Sequence, residues 1–476
     1  MRNVVVSNRV ALPGLIGGLE PAPAGGLGVA LRDSLESTGG LWLGWSGQVS
    51  ADGSRETAPR LVARGRVTYA LLDLSPDDER EYYSGFANRA LWPLMHDRPD
   101  LVAFSRADRA SYGHVNQRFA GALRGLLRPG DQVWVHDYHL IPLGAELRAL
   151  GASHSIGYFH HVPWPAPDAL DTLPGADSLR EALRAYDLVG VQTRRDATNL
   201  EAWLRAEPDG GALPRVSVLP VGIDAGAFAC AAQHSEETVP GRERRARLEG
   251  RQVVLGVDRL DYSKGVVPRL EAFERYLLSN PDRLGAAVLV QVAPPSRAGV
   301  PEYADLAAEV NEMVGRINGA LGEPGWTPIH YVARSLRRAD LAGLMRLARV
   351  GLVTPLRDGM NLVAKEYVAA QDPADPGVLV LSRFAGAADC MPGALLVNPH
   401  DRFAVAGAIR AALALPLDER LARWRAMREV LDQRDAAWWA GALTRELAAA
   451  RAGRNGDSGG PWPRGAGAAR ESARVA

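Results

Sequence analysis

Short runs of apolar, largely β-branched residues recur along the whole chain, each closed by polar or Gly/Pro residues and separated from the next by a stretch of helical character. Runs that are apolar throughout, rather than alternately, require cover on both faces, the situation of a parallel sheet between two layers of helices. They predict strands over residues 3–6, 132–135, 155–159, 188–192 and 216–221 in the first half. In the second half the predicted strands are 252–257, 287–292, 329–332, 350–354, 378–381 and 395–397. Two such sets in tandem predict an α/β protein with two doubly wound domains facing a cleft. The length of 476 residues agrees, being too great for one ordinary core.

The polar, charge-rich stretch from Ala225 to Arg251 marks the expected boundary, giving domains over residues 1–225 and 226–415. Its Arg242-Glu243-Arg244-Arg245-Ala246-Arg247 cluster reads as a solvated helix face and is assigned no function. Residues 416–452 are expected to be C-terminal helices packing back toward the N-terminal domain, with Trp424, Trp438 and Trp439 buried. The Gly/Ser/Arg-rich residues 453–476 have too little apolar surface to fold and are expected to be a disordered tail. The Pro/Gly-rich segment Leu12–Ala24 is expected to be a loop.

Lys+Arg and Asp+Glu both number 55, so no polyanionic partner is indicated and no nucleic acid is expected. No apolar run approaches the ~18 residues of a membrane span, and the first residues enter a strand without the apolar stretch of a leader. Two cysteines, Cys230 and Cys390, lie far apart without metal-type spacing, which predicts a reducing, cytoplasmic setting.

Ligands of doubly wound sheets bind beyond the carboxyl ends of the strands and against helix N-termini. Polar residues gather at those places: Ser7-Asn8-Arg9, His136-Asp137-Tyr138-His139, His160-His161, Asp258-Arg259 and Ser296-Arg297. One charged strand end is ordinary, whereas five predict a substrate cleft between domains. Gly25-Gly26-Leu27-Gly28 precedes a predicted helix, where glycines let backbone N–H groups approach phosphate, although a Gly-Gly pair serves equally as a tight turn. The dinucleotide fingerprint and the Walker A sequence are both absent, which argues against a nicotinamide enzyme or a P-loop phosphotransferase.

Arg259 and Lys264 can neutralise a diphosphate or can pair with Asp258 or Asp261. Across Thr354–Glu366 a strand ends, Asp358-Gly359 turns the chain and a helix begins near Asn361. Backbone N–H groups there can receive phosphate, Asp358 can bind sugar hydroxyls and Glu366 can clamp a ribose diol. Helix capping by Asp358 or Asn361 accounts for part of the same pattern. His136, His139, His160 and His161 lack metalloprotease spacing, so no metal site is expected. Trp92, close to Tyr82-Tyr83, is read either as core or as one wall of a sugar pocket.

Five segments, Val6–Arg9, Gly39-Gly40-Leu41-Trp42, Trp134–His139, Arg259–Gly265 and Arg357–Glu366, resemble in sequence and order the trehalose-6-phosphate synthases, a family of retaining glycosyltransferases, with the likeness extending over residues 4–439. The resemblance implies two Rossmann-like domains in the GT-B glycosyltransferase architecture, with the acceptor in the N-terminal domain and the nucleotide sugar in the C-terminal one. It implies transfer of glucose from UDP-glucose to glucose 6-phosphate, giving α,α-trehalose 6-phosphate. On this resemblance Arg9, Tyr83, Asp137 and Arg297 bind the acceptor. Gly25, Gly26, Arg259, Lys264, Leu336, Asp358, Leu362, Val363, Ala364, Lys365 and Glu366 bind the donor. The catalytic set is Arg259, Lys264, Asp358, His161 and Trp92, the last two associated with the α configuration.

Leu336 stands where relatives often carry an aromatic, at a contact implied to be main-chain, and Trp164 replaces a commoner Phe and is expected to reshape the acceptor wall. No cofactor or metal is implied, because UDP-glucose is a substrate. The residues do not separate UDP- from ADP- or GDP-glucose. Another phosphorylated acceptor, such as glycerol 3-phosphate or a cyclitol phosphate, and a non-catalytic sugar-phosphate sensor remain alternatives. A homo-oligomer is admitted but not required.

Overall fold

The computed structural model describes residues 2–457 except 11, 13–25, 52, 54–57, 207–211 and 298. The expected loop after Leu12, Gly25 and the tail from residue 458 onward lie outside the described residues. The last helix, Ala436–Asp457, runs beyond the expected boundary at 452. A helix once anchored extends at the gain of one hydrogen bond per residue fixed, and so outruns its apolar stretch.

The N-terminal sheet contains β1 (Asn3–Arg9), β2 (Gly40–Val49), β3 (Arg60–Arg64), β4 (Val67–Leu74), β5 (Gln132–His136), β6 (Ser155–Phe159), β7 (Leu188–Val191) and β8 (Arg215–Val218). Their order is β3-β4-β2-β1-β5-β6-β7-β8, parallel except for the edge strand β3, which runs antiparallel to β4. The C-terminal sheet contains β9 (Gln252–Val257), β10 (Ala287–Val292), β11 (Ile329–Val332), β12 (Val350–Val353), β13 (Val378–Ser382) and β14 (Leu395–Val397). Its order is β11-β10-β9-β12-β13-β14. Strand order therefore reverses between β9 and β12 in one sheet and between β1 and β5 in the other. These switch points are where the loops of a doubly wound sheet part to admit a ligand.

Both faces of each sheet are buried. On β1, Val4 and Val6 enter one core while Val5 enters another, because successive side chains point to opposite faces. Strands β2 to β4 were not among those predicted. Leu41–Ser46 of β2 are buried, but Gly44 and Ser46 interrupt the apolar run. Gly40, at φ 150°, begins β2 where an added Cβ would lie 2.3 Å from the Asn3 carbonyl oxygen, so only glycine lets this strand seat against β1. Between β4 and Trp92 the chain forms an unusually long π-helix, Glu79–Leu91.

The C-terminal helices join the domains. Trp424 on helix Leu417–Gln433 donates from its indole to the Val368 carbonyl of the C-terminal domain (3.0 Å). Trp439, 1% exposed, packs edge-on against Phe159 of β6 with ring centroids 5.3 Å apart. Trp438 is only half-buried. One apolar core thus contains residues of the N-terminal sheet, the C-terminal domain and both of these helices. Elsewhere the domains meet backbone to backbone: a Cβ on Gly359 would fall 2.2 Å from the His161 carbonyl oxygen.

Removing Trp439 empties the joint between β6 and the last helix. Trp439→Ala is expected to cost about 3–5 kcal/mol in urea unfolding.

Candidate active site

The two switch points face each other, and the loops beyond them carry most of the residues singled out in the sequence. After β9 the chain makes a one-turn 3-10 helix, Tyr262–Lys264, entered through Asp261. Ser263 donates to the Asp261 carboxylate from its backbone N–H (3.0 Å) and its hydroxyl (2.8 Å). Gly265, at φ 64°, then turns the chain into helix Val266–Ser279. That local geometry buries the Lys264 stem and aims its ammonium at Asp358, to which it donates at 2.6 Å. Asn361 caps helix Leu362–Ala370 by accepting from the Ala364 N–H (3.3 Å) and donates to Asp358 at 3.0 Å. Asn361 thus both caps the helix and fixes Asp358 beside its first turn.

Asp261 is fully buried and accepts four hydrogen bonds. Besides those from Ser263, the Arg297 guanidinium donates to it at 2.6 Å and the Tyr303 hydroxyl at 3.0 Å. Burial would raise this carboxyl, but Arg297, Lys264 and Arg259 outweigh it and hold Asp261 well below the usual range. Arg297 sits at φ 48° and also donates to the Tyr303 hydroxyl (2.5 Å) and the Tyr138 hydroxyl (3.4 Å). Its guanidinium lies over the Trp92 ring at 3.8 Å from the centroid, while its Nε is buried without a protein partner. Arg259 is exposed, approaches the same ring at 5.9 Å, and makes no ion pair among the described residues. The suggested pairings with neighbouring aspartates are not made: Asp258 is bound by Arg269 (2.7 Å).

Across the cleft, Asp137 follows β5 at φ 75° and accepts from the His161 backbone N–H (3.2 Å). Burial lifts its carboxyl to about 6, against the pull of the His161 and Tyr138 backbone donors, Arg297 and Arg259. His161 meets His136 nitrogen to nitrogen at 2.9 Å, so one ring donates and the other accepts. Burial holds His136 down to about 3 and, with His136 and His160, keeps His161 well below its ordinary value, leaving both neutral. Tyr83 stacks on His139 at 5.9 Å and tilts against Trp45, whose ring also carries the Arg9 guanidinium at 5.6 Å. Arg9, exposed at the end of β1, is the outermost of these groups.

Glu366 lies in the second turn of helix Leu362–Ala370, and burial lifts its carboxyl to about 7 against Arg338. Leu362, Val363 and Ala364 form the helix start. The Lys365 ammonium points away from this group and donates to the Val221 carbonyl (2.6 Å), so only its backbone faces the same environment as its neighbours. Leu336 is half-buried against the core before helix Arg338–Leu347. Gly26 is the first residue of helix Gly26–Thr38. Trp164 corrects an expectation: it is 1% exposed, packed between His160 (4.7 Å) and Trp203 (5.7 Å) inside the N-terminal core, and does not wall the acceptor side. Its size is accommodated there by aromatic packing.

A family model described as Glycosyltransferase family 20 matches residues 20–449. The chain is a member of the trehalose-6-phosphate synthase family. The trehalose-6-phosphate synthase of Sinorhizobium fredii is 50% identical over 461 residues, covering 94% of this chain and 98% of that protein. Among solved structures, an α,α-trehalose-phosphate synthase (UDP-forming) from Burkholderia vietnamiensis is 45% identical with a TM-score of 0.90, covering 94% of this chain and 98% of that one. The Burkholderia xenovorans synthase in complex with glucose-6-phosphate is 44% identical with a TM-score of 0.90, covering 94% and 100%. The E. coli protein bound with UDP-2-fluoro glucose is 41% identical with a TM-score of 0.87, covering 94% and 99%. The fold is accordingly the two-domain GT-B arrangement, with both domains built on predominantly parallel sheets.

The network around Asp261 was not legible in the sequence beyond its place in the Arg259–Gly265 segment, and Tyr303 gave no signal at all. Asp261→Ala leaves Arg297 buried without its carboxylate and is expected to cost about 3–5 kcal/mol in denaturant unfolding, with Asp261→Asn recovering part of the loss.

The raised carboxyl of Glu366 sets a pH dependence. The folded protein keeps a proton that the unfolded chain releases, so stability falls as pH rises from the ordinary 4.5 to about 7. Glu366→Gln is expected to flatten that part of the slope in thermal melts taken across the same window.

Proposed function

We propose that this synthase-family chain transfers glucose from UDP-glucose to the anomeric hydroxyl of glucose 6-phosphate with retention, giving α,α-trehalose 6-phosphate and UDP. The single observation that carries the reading is the Trp92 ring, which holds Arg297 at 3.8 Å and Arg259 at 5.9 Å. Two cations at one ring provide for two anions side by side: the donor diphosphate at Arg259 and the acceptor phosphate at Arg297. The complexes of the B. xenovorans relative with glucose-6-phosphate and of the E. coli relative with UDP-2-fluoro glucose support this pair of substrates.

On the donor side, Arg259, Lys264 and the N–H groups from Leu362 receive the diphosphate, Asp358 holds glucose hydroxyls and Glu366 the ribose diol. The bond from the glucosyl anomeric carbon to phosphate oxygen breaks, and its electron pair leaves with UDP. Positive charge fixed where that negative charge develops is the electrostatic contribution that dominates many such reactions. The acceptor hydroxyl attacks from the same face and passes its proton to a phosphate oxygen of the departing group, so no protein nucleophile is required. The charge that a metal ion would otherwise supply comes from the two cations and the helix terminus.

On the acceptor side, Arg9 and Arg297 take the phosphate, with the unpartnered Arg297 Nε as one available donor. Tyr83 and Asp137 line the sugar, and neutral His161 with Trp92 confines the two anomeric centres. Closure of both domains over the substrates excludes water that would hydrolyse the donor. No helix among the described residues is long and apolar enough to cross a membrane, and Cys230 and Cys390 are free thiols. Both facts agree with a cytoplasmic enzyme.

Arg259→Ala and Lys264→Ala are expected each to lower kcat by about 10²–10³, while Arg9→Ala raises the KM for glucose 6-phosphate and leaves UDP binding unchanged. Released UDP and the product linkage check all three, and wild-type donor turnover by the first two variants overturns the diphosphate assignment.

A further inference from the structure

A second cavity, of about 210 Å³, opens between the domains on residues that none of the proposed substrate contacts use. His96, Asp97, Arg98 and Arg195 line it from the N-terminal domain, and Tyr262, Ser263, Leu356, Arg357, Phe384 and His400 from the C-terminal domain. It lies behind the loops whose next residues, Lys264 and Asp358, pair in the transfer cleft.

Three guanidinium groups and one carboxylate make its charge positive. Arg357, nine-tenths buried, meets Asp97 across the domain boundary at 3.2 Å and also feels the charge of Asp196. Its Nε is nonetheless without a hydrogen bond, because the approach to Asp97 is poorly aligned. Arg98 is held in place by a bidentate pair with Asp100 (2.8 and 2.7 Å) and lies over the Tyr262 ring at 5.7 Å. Arg195, exposed in the first turn of helix Arg194–Arg205, has no partner among the described residues. A further orphan faces the same region. His96 is 3% exposed, its Nδ1 meets the Trp92 carbonyl at 2.8 Å, and its Nε2 is buried without a partner. Burial of this kind leaves the imidazole neutral, so Nε2 is an acceptor suited to a hydroxyl. Orphaned buried polar atoms are rare in folded proteins and ask for a group that satisfies them.

We propose that this cavity is a second anion site, separate from the transfer cleft, that takes the phosphate of a small phosphomonoester and ties the two domains together. Arg195, Arg357 and Arg98 receive the phosphate oxygens, for which forked guanidinium donors are the best match. Tyr262 and Phe384 give an apolar wall to the short carbon skeleton, and a cavity several times the size of a water has room for one. Because its cations come from both domains, the ligand binds the closed arrangement more tightly than an open one and shifts the population toward closure.

Calorimetric titration of the full chain in phosphate-free buffer tests this, with inorganic phosphate and glycerol 2-phosphate as ligands. Wild type is expected to bind one equivalent that survives Arg9→Ala. Arg98→Gln/Arg195→Gln loses that equivalent, binding at least tenfold more weakly, and keeps wild-type turnover. Arg195→Gln alone, on an exposed helix start, gives the same direction of change if the double variant fails to fold. Tighter binding of glycerol 2-phosphate marks an ester as the ligand, and equal binding marks free phosphate. Unchanged binding by the Arg195→Gln variant, or no equivalent surviving Arg9→Ala, overturns the proposal. The Arg9→Ala arm reports on the acceptor site separately.

Discussion

The Asp261 carboxylate is the tie on which the cleft depends. It is fully buried and yet ionised, because Arg297, Lys264 and Arg259 surround it and four donors fill its lone pairs. One oxygen orders the turn that aims Lys264, and the other holds the guanidinium of Arg297 in its left-handed backbone site. A buried ion pair with every lone pair satisfied contributes more to geometry than to net stability, since desolvation offsets most of the attraction. Here the geometry is what matters. Lys264, one of the two cations proposed for the donor, and Arg297, one of the two proposed for the acceptor phosphate, are oriented by this single carboxylate.

Around that tie the domains are held by contacts of different kinds. Trp92 from the N-terminal domain lies beneath two arginines of the C-terminal domain. Gly359 lets backbone approach backbone at His161, and Arg357 reaches Asp97 beside the second cavity. The apolar part of the joint is elsewhere, in Trp424 and Trp439 on the returning helices. Apolar packing fixes the joint at one end, while the cleft itself closes through polar and cation–aromatic contacts. Contacts of that second type can be made and broken as substrates enter and leave, which a continuous apolar seam would resist.

The sheet strands were readable where an unbroken apolar run carries them, not in proportion to burial: β8 and β14 were predicted although partly exposed, and the nearly buried β4 was missed. β6, β9, β10, β11 and β14 occur over the residues predicted from apolar runs. β2 was missed because glycine and serine break its run, and β3 because its short run Leu61-Val62-Ala63 is largely exposed and closed by arginines on both sides. Gly65, at φ 55° in the two-residue turn between β3 and β4, was a usable hairpin signal. The π-helix Glu79–Leu91 had none, since a wider hydrogen-bond spacing leaves no distinct periodic mark in so short a segment.

The sequence by itself determined two doubly wound domains, a cleft at their strand ends and the residue types within it, because strand burial and loop chemistry are local properties of the chain. The five matching segments added a family and its two sugars. Tertiary structure decided which charges remain free. Lys264 chose Asp358 rather than its nearer aspartates, Asp261 chose Arg297, and the Lys365 ammonium turned to Val221. Trp164 went into the core rather than the cleft. Each of those outcomes joins residues tens to more than a hundred positions apart, or depends on which side of a packed layer a side chain falls. Coulomb attraction and burial act on distance in space, and spacing along the chain does not record it.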